Sequence, residues 1–261
     1  MKLTVIGSGG AIINKKRKEP SFLLETQSKK LLFDCGCGSM TGLADLNFDI
    51  NNLDHLFITH AHADHLGELI FVFQSIIAQA AYFPNQARKK PLYLHGYKGF
   101  QKDVSQLMKI MNPEYRDFYP LTFYEYEGET REVDNLVIKS ASVQHVPQYF
   151  PSVAFRLESE GKTFVYSGDC GFNENIIKLA QGANMLIIDS SVPPQAFQKH
   201  GAYPNHLSPF EIGQIAEKAK PQQVVLYHLY DLSTDEEIIT EIRKNYQGKV
   251  IIPQDNQQIE I

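Results

Sequence analysis

Four residues able to bind a metal fall within six positions, in the run His60-Ala61-His62-Ala63-Asp64-His65. Imidazole nitrogens and carboxylate oxygens are ligands of zinc and of other divalent cations. In an extended chain residues i and i+2 point to the same side, so His60 and His62 converge on one metal if they sit in a strand-end loop. Asp64 and His65 then open the next helix and can supply a second metal with a carboxylate and an imidazole. Solvated surface does not explain four such residues packed between a β-rich run and an amphipathic helix.

The elements around this run follow from hydrophobic periodicity. Strands are expected near Leu3 to Ile6, Phe22 to Glu25, Lys30 to Asp34 and His55 to Thr59. After the run, Leu66, Leu69, Ile70, Phe73, Ile76 and Ile77 recur at helical spacing, predicting one helix that starts at the motif. Further strands are expected at Leu92 to His95, Leu121 to Tyr126, Leu136 to Val143, Val153 to Leu157, Thr163 to Tyr166, Met185 to Ile188 and Val224 to Tyr227. Helices should fill most intervals after Asp169. The clearest begins at Ser208-Pro209-Phe210-Glu211, where Ser caps, Pro takes the first helical position and Glu completes a capping box. Strands followed by strand–helix alternation, in two unequal halves, imply sheets covered by helices on their outer faces.

His145, Asp169 and His228 each fall just past one of these strands. Loops at one edge of a sheet are where a rigid scaffold holds catalytic groups, so the repeated placement says more than any one residue. Taken alone, each has a structural reading too. His55, His95 and His200 are read as core or surface residues and left out of the site.

Composition bounds the protein class. At 261 residues and 43% apolar content, the chain is long enough for one large core, and no Ser/Gly/Pro-rich linker divides it, so residues 1–261 are expected to form one domain. Three cysteines are too few and odd in number for a disulfide framework, which points to a reducing cytoplasm. Gly7-Ser8-Gly9-Gly10 interrupts the apolar N-terminus, which reads as a first strand, and no segment reaches the roughly 20 apolar residues of a membrane span. A net charge of −5 gives no general attraction to nucleic acid. The basic patches Lys15 to Lys18 and Arg88-Lys89-Lys90 read as solvated loop charge.

The motif run, Ser167-Gly168-Asp169 and the late His228 resemble the metallo-β-lactamase superfamily, and its ribonuclease Z-like branch in particular. Gly7-Ser8-Gly9-Gly10-Ala11 with Arg17 and Ser21, then Leu31-Leu32-Phe33-Asp34-Cys35-Gly36, look like that branch's N-terminus, so the resemblance covers nearly the whole chain. It implies an α+β fold, the four-layer αβ/βα metallo-β-lactamase sandwich, with metals at one edge between two sheets. Carried over residue by residue, it implies His60, His62 and His145 on one metal, Asp64, His65 and His228 on the other, and Asp169 bridging. Zinc is the expected ion, with manganese or iron as alternatives. Asp34 matches a family aspartate behind the ligands, where a carboxylate sets the tautomer of a ligand imidazole, while a buried turn-capping role is the other reading. His206, in Asn205-His206-Leu207-Ser208, resembles the branch's histidine before a helix and would stabilise the phosphorane or protonate the leaving oxygen; an ordinary loop histidine beside a helix cap fits equally.

The chemistry expected of two adjacent cations is attack by a metal-activated hydroxide on phosphorus or on a carbonyl carbon, with Asp64 positioned to take the water's proton. A clamp on attacking and leaving oxygens favours a phosphodiesterase cleaving a nucleotide or other small phosphodiester. Three alternatives stay open: a ribonuclease Z-type tRNA 3′ endonuclease acting on RNA, a lactonase or thioesterase, and a non-catalytic metal-binding scaffold. Between Gly96 and His145 there is no insertion like the Gly/Pro-rich arm of ribonuclease Z, and Ala61 and Ala63 stand where that enzyme has Leu and Gly. The resemblance also makes a homodimer an expectation. Cys35-Gly36-Cys37 lacks the second pair of a structural zinc site, the Gly7 run lacks a phosphate-binding signature, and Cys170 reads as a small packed neighbour.

Overall fold

A computed structural model describes residues 1–111 and 120–261. Among these residues two seven-stranded sheets face each other. The first holds β1 (Lys2–Gly7), β2 (Ser21–Glu25), β3 (Lys30–Phe33), β4 (His55–Ile58), β5 (Leu92–Tyr97) and β6 (Leu121–Tyr126) in chain order. The second holds β7 (Thr130–Val133), β8 (Leu136–Ser142), β9 (Val153–Ser159), β10 (Lys162–Tyr166), β11 (Met185–Asp189), β12 (Gln223–Tyr227) and β13 (Lys249–Ile251), also in chain order. The C-terminal β14 (Gln258–Glu260) returns to pair with β1. Each sheet is antiparallel in its earlier part and parallel in its later part, from β3 to β6 and from β10 to β13.

Period-two alternation divides the second sheet between two cores. Phe164, Tyr166, Met185, Ile187, Val225 and Tyr227 pack with Phe22, Phe33 and Phe57 of the first sheet. The intervening Val165, Leu186, Ile188, Val224 and Leu226 pack outward under α5 (Glu174–Leu179), α7 (Pro209–Ala219) and α8 (Asp235–Arg243). Each fully buried side chain of this size contributes about 1.5–3 kcal/mol, so the pattern commits the strands to one register. On the other flank α3 (Leu69–Tyr82) and α4 (Phe100–Met111) cover the first sheet through Val72, Phe73, Ile76, Phe100 and Val104. This is the four-layer αβ/βα arrangement.

Some expectations needed correction. The halves are equal in strand number, because β7, β13 and β14 are short edge strands with little apolar signal; β7 exposes Thr130, Arg131 and Glu132. The helix after the motif is two helices, α2 (Ala63–Leu66) and α3, separated by Gly67 and Glu68. The break has a cause: the Glu68 N–H donates to Cys35 O (2.8 Å), and its carboxylate accepts from Gly38 N (2.8 Å) and Met40 N (2.7 Å). Glu68 thereby caps α1 (Ser39–Asp45), a helix with no side-chain cap of its own and no assignment from the sequence. α4 is likewise absent from the expected elements, although Phe100, Val104, Leu107 and Met108 have helical spacing. Arg88 is not solvated: it is buried and donates to Asn51 O and Pro91 O. The capping box at Ser208 forms as read, with Glu211 closing it. A final helix, α6 (Pro194–His200), leads from the site to the loop holding His206. Among the described residues no helix is long and apolar enough to cross a membrane. The interval from Gly96 to His145 is filled by β5, α4, β6, β7 and β8, with residues 112–119 outside the described ones.

Candidate metal centre

All seven residues singled out as ligands meet at one edge of the sandwich, five just past strand ends and two, Asp64 and His65, in the short helix α2. His60 and His62 follow β4, His145 follows β8, Asp169 follows β10, and His228 follows β12. They form two sets, His60, His62, His145 with Asp169, and Asp64, His65, His228 with Asp169, and within each set the donor atoms lie within 4.8 Å of one another. His62 is extended (φ −66°, ψ 148°), as the i, i+2 argument requires, and Asp64 and His65 lie in α2.

Backbone conformation aims several of these groups. Asp34 (φ 52°) and His228 (φ 59°) occupy the left-handed region, a strained choice that clusters at functional sites. Gly168 (φ 58°) directs Asp169 inward, and a Cβ there would come within 2.9 Å of Thr59 Cβ. Gly10 lets the first loop pass over the centre, since its Cβ would stand 2.4 Å from His228 Nδ1.

A second layer fixes the imidazoles. His145 Nδ1 lies 2.9 Å from the Asn205 carbonyl, which only accepts, so Nδ1 carries the proton. His60 Nδ1 meets Thr59 Oγ1 at 3.0 Å, and that hydroxyl donates to Asp34 Oδ2. His65 Nδ1 meets the same oxygen at 2.6 Å. His228 Nδ1 meets Ser191 Oγ at 2.8 Å, and the serine hydroxyl donates to Asp189. In each case Nδ1 is committed to its outer partner, which leaves Nε2 turned toward the cluster. Tyr166 donates to Asp34 Oδ2 (2.6 Å) and Tyr227 to Asp169 Oδ1 (2.9 Å).

This arrangement fits cations. His60 Nε2 and His145 Nε2 each approach His62 Nδ1 to 3.0 Å, so lone pairs converge without enough protons to bridge them. Burial, then the neighbouring imidazoles, hold His60 well below the usual imidazole range; burial first also lowers His62 and His145. These groups are therefore neutral donors at neutral pH, the form a metal binds. In the other set His65 Nε2 is buried with no hydrogen-bond partner among the described residues, 3.3 Å from Asp169 Oδ1 and 3.6 Å from Asp64 Oδ2. His228 Nε2 is 3.1 Å from Asp169 Oδ2 and 3.3 Å from Asp64 Oδ2. Burial opposes ionisation of Asp169, yet His228 and His65 outweigh it and hold the carboxyl well below its usual range.

His206 lies against both sets, its ring centroid 4.9 Å from His145 and 5.3 Å from His228. Its Nδ1 donates to Asp189 Oδ2 at 2.8 Å. Burial works against the imidazolium, and the Asp189 carboxylate reverses the balance and raises its pKa. Asp189 thus orients His206 directly and His228 through Ser191. Sequence reading missed Asp189 and Ser191, although Asp189 ends a strand just as the other site residues follow theirs. Thr59, Tyr166 and Tyr227 read only as strand residues. Cys170 is fully buried beside Asp189, its thiol pushed well up by burial, in keeping with a packed neighbour. His55 and His95 are fully buried and hydrogen-bonded to each other, away from the centre.

The family described as anti-Pycsar protein Apyc1 matches residues 1–240. A ribonuclease Z from Mycobacterium bovis is 28% identical over 246 residues, covering 87% of this chain and 85% of its own. The Bacillus subtilis metallo-β-lactamase fold protein YhfI superposes with a TM-score of 0.80 at 19% identity, over 99% of this chain and 98% of its own. The short form of human tRNase Z superposes with a TM-score of 0.77 at 21% identity, over 100% of this chain and 99% of its own. At these identities the two structures show the metallo-β-lactamase fold.

Proposed function

The chain belongs to the anti-Pycsar protein Apyc1 family, and from that premise we propose that it is a metal-dependent phosphodiesterase acting on a nucleotide or other small phosphodiester. The observation that carries the reading is the pair of donor sets sharing Asp169. His60, His62 and His145 would hold one divalent cation, Asp64, His65 and His228 the other, with Asp169 between them and zinc the ion favoured by this mixed donor set. When bound, the cations supply Lewis acidity toward phosphoryl oxygens and bring deprotonation of a water close to neutral pH.

The remaining work falls to the protein. Asp34, Ser191 and the Asn205 carbonyl hold the ligand imidazoles in one tautomer, so the centre needs little reorganisation. Asp64 offers a carboxylate oxygen to take the attacking water's proton. His206, anchored through Nδ1 to Asp189, has Nε2 left to donate to the departing oxygen. The twin donor sets also favour phosphodiester over acyl hydrolysis, because both oxygens of an in-line displacement carry charge to be neutralised.

A ribonuclease Z-type endonuclease is the second reading, supported by the relative of that name. The net charge of −5 weighs against general attraction of RNA. Hydrolysis of bis(p-nitrophenyl) phosphate by protein as purified, after chelation, and after return of zinc or manganese tests the proposal. Turnover that disappears and returns with metal is expected. A metal-loaded protein that leaves phosphodiesters intact while cleaving lactones or thioesters would overturn it.

A further inference from the structure

Three segments of the centre meet at Gly171, two residues past Asp169. Its N–H donates to Gln144 O at 2.9 Å, which ties it to the residue before His145, and its carbonyl accepts from the Asn173 side chain at 2.7 Å. The N–H of the preceding Cys170 donates to Asp189 Oδ2 at 3.3 Å, the oxygen that also holds His206. Hydrogen bonds on both sides therefore fix this segment.

Against it lies the turn 203–206, closed on itself by an antiparallel bridge between Tyr203 and His206. Residues 201–204 are exposed, so the turn has little packing of its own to hold it. Its inward side carries two groups of the centre, the Asn205 carbonyl that meets His145 Nδ1 and the His206 ring that meets Asp189. A Cβ on Gly171 would stand 2.1 Å from Pro204 O and 2.7 Å from Pro204 C, backbone atoms that no rotamer moves aside. Non-bonded atoms settle roughly 3.5 Å apart or more, so a methyl group there would push the turn out by about 1 Å. The φ of Gly171 lies outside the left-handed region, so its backbone asks for no glycine and the close approach alone does.

Asn205 acts through a main-chain oxygen that every residue type carries, so its side chain does not aim that contact. What aims it is where the turn rests. We propose that Gly171 is a positioning residue of the metal centre: the space left by its lack of a side chain seats the turn 203–206, and that one contact places both His145 and His206. Cation retention, through His145, and proton donation, through His206, then depend on the same seat. The His206 half rests on the phosphodiesterase reading, while the His145 half needs only a bound cation.

The test is calorimetric titration of chelated protein with zinc, beside turnover of bis(p-nitrophenyl) phosphate at saturating zinc, for Gly171→Ala, His206→Ala and the double variant. Gly171→Ala should weaken zinc binding by about 10–100-fold, as loss of an outer partner of a metal ligand does. It should lower kcat by about 100-fold with KM little changed, the scale of a misplacement of about 1 Å. In the His206→Ala background the same substitution should cost little further kcat, because the group it misplaces is already gone. Pro204→Gly frees the turn without adding bulk, should move zinc affinity and kcat in the same direction, and carries the test if Gly171→Ala does not fold. Zinc affinity equal to the parent's overturns the proposal, and so does an equal kcat loss in both backgrounds, the mark of general damage. Either result leaves the phosphodiesterase reading standing as long as the parent turns over. A metal-loaded parent that cleaves no phosphodiester removes that reading instead, and the zinc titration then decides the seat by itself.

Discussion

At the scale of single residues, the proposed site separates groups that would hold the cations from groups that orient those ligands. His62→Ala and Asp169→Ala should abolish activity and metal retention together, and full activity with bound metal in either variant would falsify the ligand assignment. Asp189→Asn removes the charge that orients His206 and, through Ser191, His228. It should lower activity or metal affinity by about 10–100-fold, as for other outer partners of metal ligands. His206→Ala should keep metal content at the unsubstituted level and lose about 10²–10⁴ in kcat, the range of a lost general acid. Metal analysis beside steady-state kinetics separates the two effects.

At the scale of elements, strand ends and the short helix α2 bring the proposed ligands to the same edge, and the turns aim them. The capping of α1 by Glu68 shows how such a turn also depends on distant chain. Because Glu68 takes the place of a local cap, Glu68→Ala should destabilise the fold by about 1–2 kcal/mol. Ser208→Ala, at the capping box of α7, should cost about 1 kcal/mol. Urea denaturation at fixed metal concentration measures both, and a Glu68→Ala midpoint equal to the parent's would remove the capping account.

At the scale of the whole molecule, two features respond to conditions. The donor sets place unbridged lone pairs and carboxylates together, so chelation should lower the melting temperature and restored metal should raise it in proportion to the logarithm of its concentration. Far from the centre, burial lowers the His55 pKa to about 4, against a partial opposing pull from Asp134. The unfolded chain binds that proton near pH 6.5 and the folded chain only near 4. Stability is therefore complete above about pH 6.5 and falls as pH drops toward 4, by roughly 3 kcal/mol from this group. His55→Gln should flatten the stability profile in that window, read by denaturation at a series of pH values; an unchanged slope would count against a neutral buried His55.

The local run His60-Ala61-His62-Ala63-Asp64-His65 and the capping box at Ser208 were legible in sequence, because alternation, helix capping and ligand type act over a few neighbouring residues. The strand-end positions of His145, Asp169 and His228 were legible as positions, and their convergence came from family resemblance. What only the tertiary structure decided was which distant groups meet: Asn205 carbonyl with His145, Ser191 with His228, Asp189 with His206, Glu68 with the start of α1, and Phe150 with His62. These contacts join segments that fold together because two sheets bury their facing side chains in one core. Periodicity records which side of a strand is buried, and carries no record of which other strand it will be buried against.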